Sequence, residues 1–110
     1  MPNKFIIIFV TASSEKEAKR IISQLIKKKI IACANILKGI DSTFIWKGNI
    51  DNAKEVLIML KTKKALFKKA AREIERLHSY DVPEIIAVPI VMGSKKYLDW
   101  IDESTQISTD

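Results

Sequence analysis

The sequence predicts an α+β domain in which helices pack against an antiparallel four-stranded sheet. Apolar residues make up 47% of the 110-residue chain, so the protein can build a core and is neither disordered nor fibrous. This length suits one domain, which we place at residues 1–110, and is too short for two. Runs typical of strands alternate with runs typical of helices in the order βαββαβ, followed by one more helix.

The first predicted strand and helix come at the start of this order. Residues 5–10 are a continuous apolar run rich in β-branched residues, typical of a strand that is buried on both faces. Ser14 lies three residues before Glu17, which is the spacing of a capping box at the start of a helix. Apolar residues then repeat on one helical face, namely Ala18, Ile21, Ile22, Leu25 and Ile26. We expect the helix to end near lysines 27–29, because positive charge suits the negative end of its dipole.

The middle of the chain predicts a long hairpin. Residues 30–37 are typical of a strand and residues 43–47 continue it, while Gly39 between them indicates a break or bulge. Gly48 and Asn49 form a good turn pair. The apolar run at residues 55–61 then predicts the returning strand.

The rest of the chain predicts a helix, a strand and a last helix. A helix over residues 64–78 is indicated by the spacing of Leu66, Ala70, Ile74 and Leu77. Pro83 disfavours helical backbone at Val82, so this helix must end before it. Residues 84–91 predict the fourth strand, and Pro89 places it at a sheet edge because proline lacks the ladder N–H. Ser94 caps the last helix, which is expected to turn inward Tyr97, Leu98 and Ile101, with Trp100 as a further candidate.

This order of elements has a well-known solution, the ferredoxin-like sandwich with strand order 4-1-3-2. It collects polar residues at two opposite rims of the domain. One rim would bring together Thr11, Ser13, His78, Tyr80, Asp81 and Glu84. The other would bring together Lys27, Lys28, Lys29, Cys33, Lys61, Lys63 and Lys64. A strand of about eight residues spans roughly 25 Å, so His78 and Cys33 of one chain cannot bind the same metal ion.

Alternative roles remain open for the polar residues. His78, the only histidine, is a helix-terminal residue with local hydrogen bonds, a metal ligand, or part of the lining of a polar cleft. Cys33 is either a small core residue or a soft metal ligand. Lys61, Lys63 and Lys64 form either a solvated face or, because they lie at a helix N-terminus, a candidate anion-binding site.

Several classes of protein are not supported by the sequence. A single cysteine excludes an internal disulfide and suits a reducing, cytoplasmic setting. The apolar run at residues 5–10 is too short to span a membrane. The net charge of +6 suits anionic partners, but the central strands offer few of the aromatic residues that stack on RNA bases, so we do not expect nucleic acid as a partner.

Six segments resemble those of the CutA family of divalent-cation tolerance proteins in order and spacing: VTASSEKEA, IIACANI, STFIWKGNI, KEVLIMLKT, HSYDVPEIIAVPI and YLDWIDEST. They cover nearly the whole chain, from Ile7 to about Thr105. The resemblance implies a small ferredoxin-like subunit of a tight homotrimer, with a sheet similar to that of the PII signalling proteins. It also implies a link to tolerance of copper and other divalent metals, no enzyme activity and no required cofactor.

The chain departs from the usual residues of the family at Phe44, Ser79 and Asp81. Val10 and Leu77 also stand where some bacterial members have a cysteine and a histidine that are proposed copper ligands. Only His78 of that proposed set is present. The resemblance therefore implies at most weak binding of copper or zinc, through His78 of one subunit and Cys33 of another.

The topology and the resemblance together predict a cleft between subunits. Its lining residues would be Cys33, Asn35, Lys61, His78, Tyr80 and Glu84. Other functions remain open for such a trimer. They are PII-like signalling, the binding of an anion or nucleic acid, and an enzyme reaction in the cleft.

Overall fold

The computed structural model describes residues 4–107. Its strands are β1 (Phe5–Ala12), β2 (Cys33–Trp46), β3 (Asn49–Lys63) and β4 (Ile85–Pro89). Its helices are α1 (Glu15–Lys27), α2 (Phe67–Leu77) and α3 (Lys95–Ser104), with a short 3₁₀ turn at Lys64–Leu66 before α2. The order βαββαβ with a last helix agrees with the prediction.

The four strands form one antiparallel sheet in the order β2-β3-β1-β4. This is the predicted 4-1-3-2 order, with β1 and β3 in the centre and with β2 and β4 at the two edges. The fold is therefore the ferredoxin-like α+β sandwich. Strand β4 carries Pro89 at the edge position that its missing N–H predicts.

The core lies between one face of the sheet and helices α1 and α2. Alternate residues of the two central strands point to this face, so β1 contributes Ile8 and Val10 and β3 contributes Ile58 and Leu60, all fully buried. The helices cover them with residues spaced by three or four positions, namely Ala18, Ile21, Leu25, Ala70 and Ile74. Burial of these apolar side chains is the main stabilising term of the fold.

The opposite face of the sheet, which we call the open face, is covered only in part. It carries the alternate residues of the same strands, Ile7, Phe9, Leu57, Met59, Ile86 and Val88. Ile86 is 56% exposed and Val88 is 42% exposed. At one end of this face, α3 is attached by an ion pair of 3.0 Å between Lys63 and Asp102. The remainder is an apolar surface that faces solvent in the single chain.

Strands β2 and β3 extend far beyond the rest of the sheet. Strand β1 pairs with β3 only from Val56 to Lys63, so residues 40–55 project as a two-stranded hairpin arm. The arm makes the molecule elongated, with extents of 44 × 25 × 24 Å. It begins at a bulge between Leu37 and Ile40, where Gly39 has φ +70°, as the glycine predicted.

The hairpin turn differs from the prediction by one residue. Trp46 pairs with Asn49, so the two turn residues are Lys47 and Gly48 rather than Gly48 and Asn49. Both have positive φ, at 51° and 80°, as a type I′ turn requires. Gly48 correctly predicted the turn, but the strand pairing decides which position of the turn this glycine occupies.

Further features differ from the prediction, the largest being that β3 begins at Asn49 rather than at residue 55. Strand β2 begins at Cys33 rather than at residue 30, because Lys29 is left-handed and the Ile30 N–H bonds back to the Leu25 carbonyl. Strand β4 is shorter than predicted, at Ile85–Pro89. Of the α3 residues expected to point inward, only Ile101 is fully buried; Tyr97 is 40% exposed, although its hydroxyl reaches Cys33 on the sheet.

Candidate functional site

His78 is the C-cap residue that directly follows α2, and each of its two ring nitrogens is hydrogen-bonded to a backbone group. The side chain is fully buried. Its Nε2–H donates to the carbonyl of Thr11 at 2.7 Å, and its Nδ1 accepts from the Tyr80 N–H at 3.0 Å. A ring that donates at Nε2 and accepts at Nδ1 is neutral. His78 therefore ties the end of β1 to the loop after α2, and neither ring nitrogen is free.

Glu17 lies beside His78 at the start of α1. Its carboxylate accepts from the Ser13 hydroxyl at 2.9 Å and from the Ser79 N–H at 2.7 Å, and it lies 3.7 Å from His78 Nδ1. Burial alone would raise the pKa of this carboxyl, but the hydrogen bonds from Ser79 and Ser13 outweigh burial and lower the pKa from 4.5 to about 2. Glu17 is therefore a buried anion at neutral pH.

Tyr80 continues this cluster onto the open face of the sheet. Its hydroxyl donates to Glu55 Oε2 at 2.7 Å, and its ring centroid lies 4.7 Å from that of His78. Glu55 comes from the base of the hairpin arm and is only 7% exposed. Burial and the nearby Glu55 carboxylate raise the pKa of Tyr80 above its ordinary value, so the phenol stays protonated and remains a donor.

A cleft of about 760 Å³ opens between the hairpin arm and the loop of residues 80–84. We call it the arm cleft. The arm lines it with residues that include Ser42, Phe44, Trp46, Asp51, Ala53 and Glu55. The loop lines it with Tyr80, Asp81, Val82 and Glu84. The hydrogen-bonded pair of Glu55 and Tyr80 thus reaches the wall of a sizeable cavity.

The structure brings together most of the residues predicted for this rim. Thr11, His78 and Tyr80 are linked by hydrogen bonds, Ser13 joins them through Glu17, and Asp81 and Glu84 lie on the arm cleft. Sequence reasoning missed Glu17 and Glu55 as members of the cluster. The capping-box position of Glu17 was a usable signal, but the partners of Glu55 depend on how far the arm extends.

The lysine rim at the other end of the sheet is largely paired within the chain. Lys63 binds Asp102 at 3.0 Å, Lys28 binds Glu73 at 2.7 Å, and Lys61 hydrogen-bonds Asn35. The lysines hold the pKa values of Asp102 and Glu73 below their usual range. Of the three candidate anion ligands, Lys64 lies on the 3₁₀ turn and is exposed, whereas the charge of Lys63 is already balanced.

Cys33 lies at this lysine rim, far from His78. It pairs with Lys61 across the sheet, and burial together with Cys33 raises the pKa of Tyr97. Within residues 4–107, no three histidine, cysteine, aspartate or glutamate side chains lie close enough to hold a metal ion. Since both nitrogens of His78 are also occupied, the described residues of one chain do not by themselves form a metal site.

None of the described helices is long and apolar enough to cross a membrane.

Comparison with known proteins gives consistent matches over almost the whole chain. Residues 6–104 match the family described as CutA1 divalent ion tolerance protein. The divalent-cation tolerance protein CutA of Archaeoglobus fulgidus is 43% identical over 99 residues, which are 90% of this chain and 96% of that protein. The chloroplastic protein CutA of Arabidopsis thaliana is 37% identical over 101 residues, which are 92% of this chain. The chain spans only 56% of that plant relative.

Solved structures match equally well. The crystal structure of CutA1 from Oryza sativa superposes with a TM-score of 0.93 at 36% identity, covering 97% of this chain and 98% of that one. The structure of the periplasmic divalent cation tolerance protein CutA from Archaeoglobus fulgidus gives a TM-score of 0.90 at 42% identity, covering 93% and 99%.

Proposed function

Since this chain belongs to the CutA1 family of divalent ion tolerance proteins, we propose that it acts as a non-catalytic homotrimer in the response to copper and other divalent metal ions. Trimeric assembly, the link to copper and a cytoplasmic location are the specific parts of this proposal. The uncovered apolar face of the sheet is the observation that carries it.

The open face supports self-association. Its apolar residues continue to the β4 edge, and the exposed Val91 and Met92 lie shortly after the end of β4. Contiguous apolar surface of this kind is typical of contact sites rather than of free surface. Strands β2 and β4 also present two unpaired edges, and joining unlike edges of identical subunits produces a closed ring when the rotation allows. A trimer would cover both features.

The buried polar cluster supports a role without catalysis. Both ring nitrogens of His78 are hydrogen-bonded to backbone groups, so the imidazole is not available to activate a nucleophile. Cys33, the only thiol, lies at the opposite rim. Turnover of a metabolite mixture that is lost in Glu84→Ala would contradict this part of the proposal and favour an enzyme with a cleft site.

Metal contact is proposed to be weak and to need two subunits. Cys33 would supply a soft ligand from one chain, and His78 of a neighbour could join only by giving up the bond from the Tyr80 N–H. We propose that the protein requires no cofactor. Calorimetric titration of copper and zinc into the wild type and Cys33→Ser tests this, and tight binding that survives in the variant would contradict it.

Assembly is tested by light scattering on a matched pair of variants. The wild type should have three times the 12.5 kDa mass of one chain. Val88→Glu places a charge on the open face and should give monomers, whereas Ile26→Glu, at an equal 42% exposure on α1, should leave the trimer intact. A monomeric wild type at micromolar concentration would overturn the proposed assembly.

The cellular role is tested by complementation. A bacterial strain that lacks its own family member should grow better in copper when it expresses this chain, and less so with Val88→Glu. Equal growth of the strain with the chain and with an empty vector, at matched expression, would overturn the proposed response to copper.

A further inference from the structure

The two helices that cover the core carry the excess positive charge of the chain. We call residues 15–29 and 64–77 together the helix layer. They contain 11 of the 19 lysine and arginine residues and 4 of the 13 acidic residues, which gives the layer a net charge of +7. The rest of the chain has 8 basic and 9 acidic residues and a net charge of −1. This uneven distribution favours an anionic partner on one side of the molecule.

Within the helix layer, the cations are exposed and most of the anions are not. Every lysine and arginine of the layer except Lys69 is exposed, whereas Glu75 is its only exposed acidic residue. Glu17 is buried, and Glu15 and Glu73 are half-buried and are each paired with two cations. The layer therefore presents ten cations and one carboxylate to solvent.

The cations of the two helices form one continuous surface. Helices α1 and α2 lie side by side, since the Arg20 guanidinium donates to the Leu77 carbonyl at 3.0 Å and Lys28 binds Glu73 at 2.7 Å. Exposed cations recur along the outward side of each helix at helical spacing. They are Lys16, Arg20 and Lys27 on α1, and Lys68, Arg72 and Arg76 on α2.

The helix layer stays accessible when subunits associate as proposed. The helices pack on the core face of the sheet, and the open face lies on the other side. Lys64 and Lys68 border the β4 edge, because they share a groove with Ala87, Val88 and Pro89. Helix α1 instead packs over β1, β2 and β3. Its outward cations are therefore the best probes of this surface in the assembled protein.

The side chains of this surface favour a nucleic acid over a membrane or a protein. A helix that lies on a membrane inserts apolar side chains, but Ile26 is the only large hydrophobic residue of the helix layer that is exposed. The centre of a protein interface is depleted of charged residues, which this surface is not. Interfaces with nucleic acid are polar and strongly positive.

The width of the surface favours contact with the backbone rather than with the bases. One helix is about 10–12 Å across, so two helices side by side are about 20 Å wide and do not fit into a major groove of about 12 Å. The sheet lacks aromatic residues for base stacking, which is why the sequence did not predict a nucleic-acid partner. Contact with phosphates needs only cations.

We propose that the helix layer binds the phosphate backbone of double-stranded nucleic acid without sequence preference. The exposed lysine and arginine side chains contact phosphates and displace the counterions around them. This interaction surface goes beyond the proposed role in the response to metal ions.

Fluorescence anisotropy of a labelled DNA duplex, titrated with the full chain at several salt concentrations, tests the proposal. The double variant Lys16→Gln, Lys27→Gln removes two exposed cations that form no ion pair with any residue in the range 4–107. It should weaken binding at low salt by at least about ten-fold. The plot of log affinity against log salt concentration should become shallower by roughly two, because two phosphate contacts are lost.

The matched control removes the same charge elsewhere. Lys47→Gln, Lys96→Gln replaces two exposed lysines outside the helix layer, so both double variants have the same net charge. The control should change the affinity less than about two-fold, since its lysines do not face the duplex. Two duplexes of unrelated sequence should bind the wild type equally well, because no base is read.

Three outcomes would overturn the inference: no binding of the duplex, equal weakening in the two double variants, or a strong preference for one duplex sequence. Binding to vesicles of phosphatidylcholine and phosphatidylserine without binding to the duplex would also overturn it, in favour of a membrane surface. Light scattering on the same samples separates this result from the proposed assembly. A trimer that does not bind the duplex overturns the nucleic-acid surface alone, and a monomer that binds it overturns the proposed trimer alone.

Discussion

At the scale of single residues, Glu17 depends on neighbours that lie far apart in the sequence. Ser13 precedes it by four positions and Ser79 follows it by 62. Their donors hold the pKa of Glu17 at about 2, well below its usual 4.5. The carboxylate therefore stabilises the fold fully above about pH 4.5 and loses this effect as the pH falls towards 2.

Glu17→Gln should lower the free energy of unfolding by about 2 kcal/mol at pH 7, because the amide is a weaker acceptor for the Ser13 and Ser79 donors. Urea denaturation should show a smaller difference from the wild type at about pH 3, where the wild type has begun to lose the same stabilisation. Glu15→Gln, on the exposed side of the same turn, should have little effect. A difference that does not depend on pH would contradict this explanation.

Tyr80→Phe should lower the free energy of unfolding by about 1–2 kcal/mol, because the buried Glu55 carboxylate loses the Tyr80 hydroxyl donor while the ring remains. Thermal unfolding measures the change. Tyr97→Phe serves as the control, since Tyr97 is 40% exposed and its hydroxyl contacts the Cys33 thiol rather than a buried carboxylate, so the loss should be smaller. Equal losses of stability in the two variants would show that the hydrogen bond from Tyr80 to Glu55 does not stabilise the fold more than the contact made by Tyr97.

The residues of this cluster could be predicted from the sequence only in part. The topology correctly gathered Thr11, His78 and Tyr80, because strand and helix ends follow directly from the order of elements. It could not identify Glu55 as the partner of Tyr80. That pairing depends on the length of the hairpin arm and on the path of the loop after His78, and neither leaves a periodic pattern in the sequence.

At the scale of elements, the hairpin turn offers a direct test of backbone geometry. Lys47 has φ 51°, a left-handed conformation in which asparagine is favoured over lysine. Lys47→Asn should therefore raise the free energy of unfolding by about 0.5 kcal/mol, and Gly48→Ala should lower it by about 1 kcal/mol. Thermal unfolding of both variants checks the sign of each change. Stabilisation by Gly48→Ala would contradict the assigned turn.

The elements themselves were well predicted by apolar periodicity, and the errors lie at their ends. The turn moved by one residue and β2 began three residues late, because pairing and the left-handed Lys29 decide these positions. Tyr97 is more exposed than predicted for a similar reason. A helix of ten residues has several apolar positions, and only its packing partner decides which one is buried.

At the scale of the whole molecule, trimer formation should link stability to concentration. If folded chains associate and unfolded chains do not, the melting temperature rises with protein concentration by mass action. Calorimetry over a hundred-fold dilution should show this rise for the wild type and for Ile26→Glu, but not for Val88→Glu. A melting temperature that is independent of concentration in the wild type would contradict the coupling.

The hairpin arm has a further consequence for the motions of the protein. A two-stranded ribbon without a third strand or a layer beneath it is only marginally stable in water. Its amide hydrogens should therefore exchange with deuterium much faster than those of β1 and of the β3 segment at residues 56–63 in a dissociated chain. Whatever covers the arm should slow this exchange, so mass spectrometry of residues 40–55 would record when and where that covering forms.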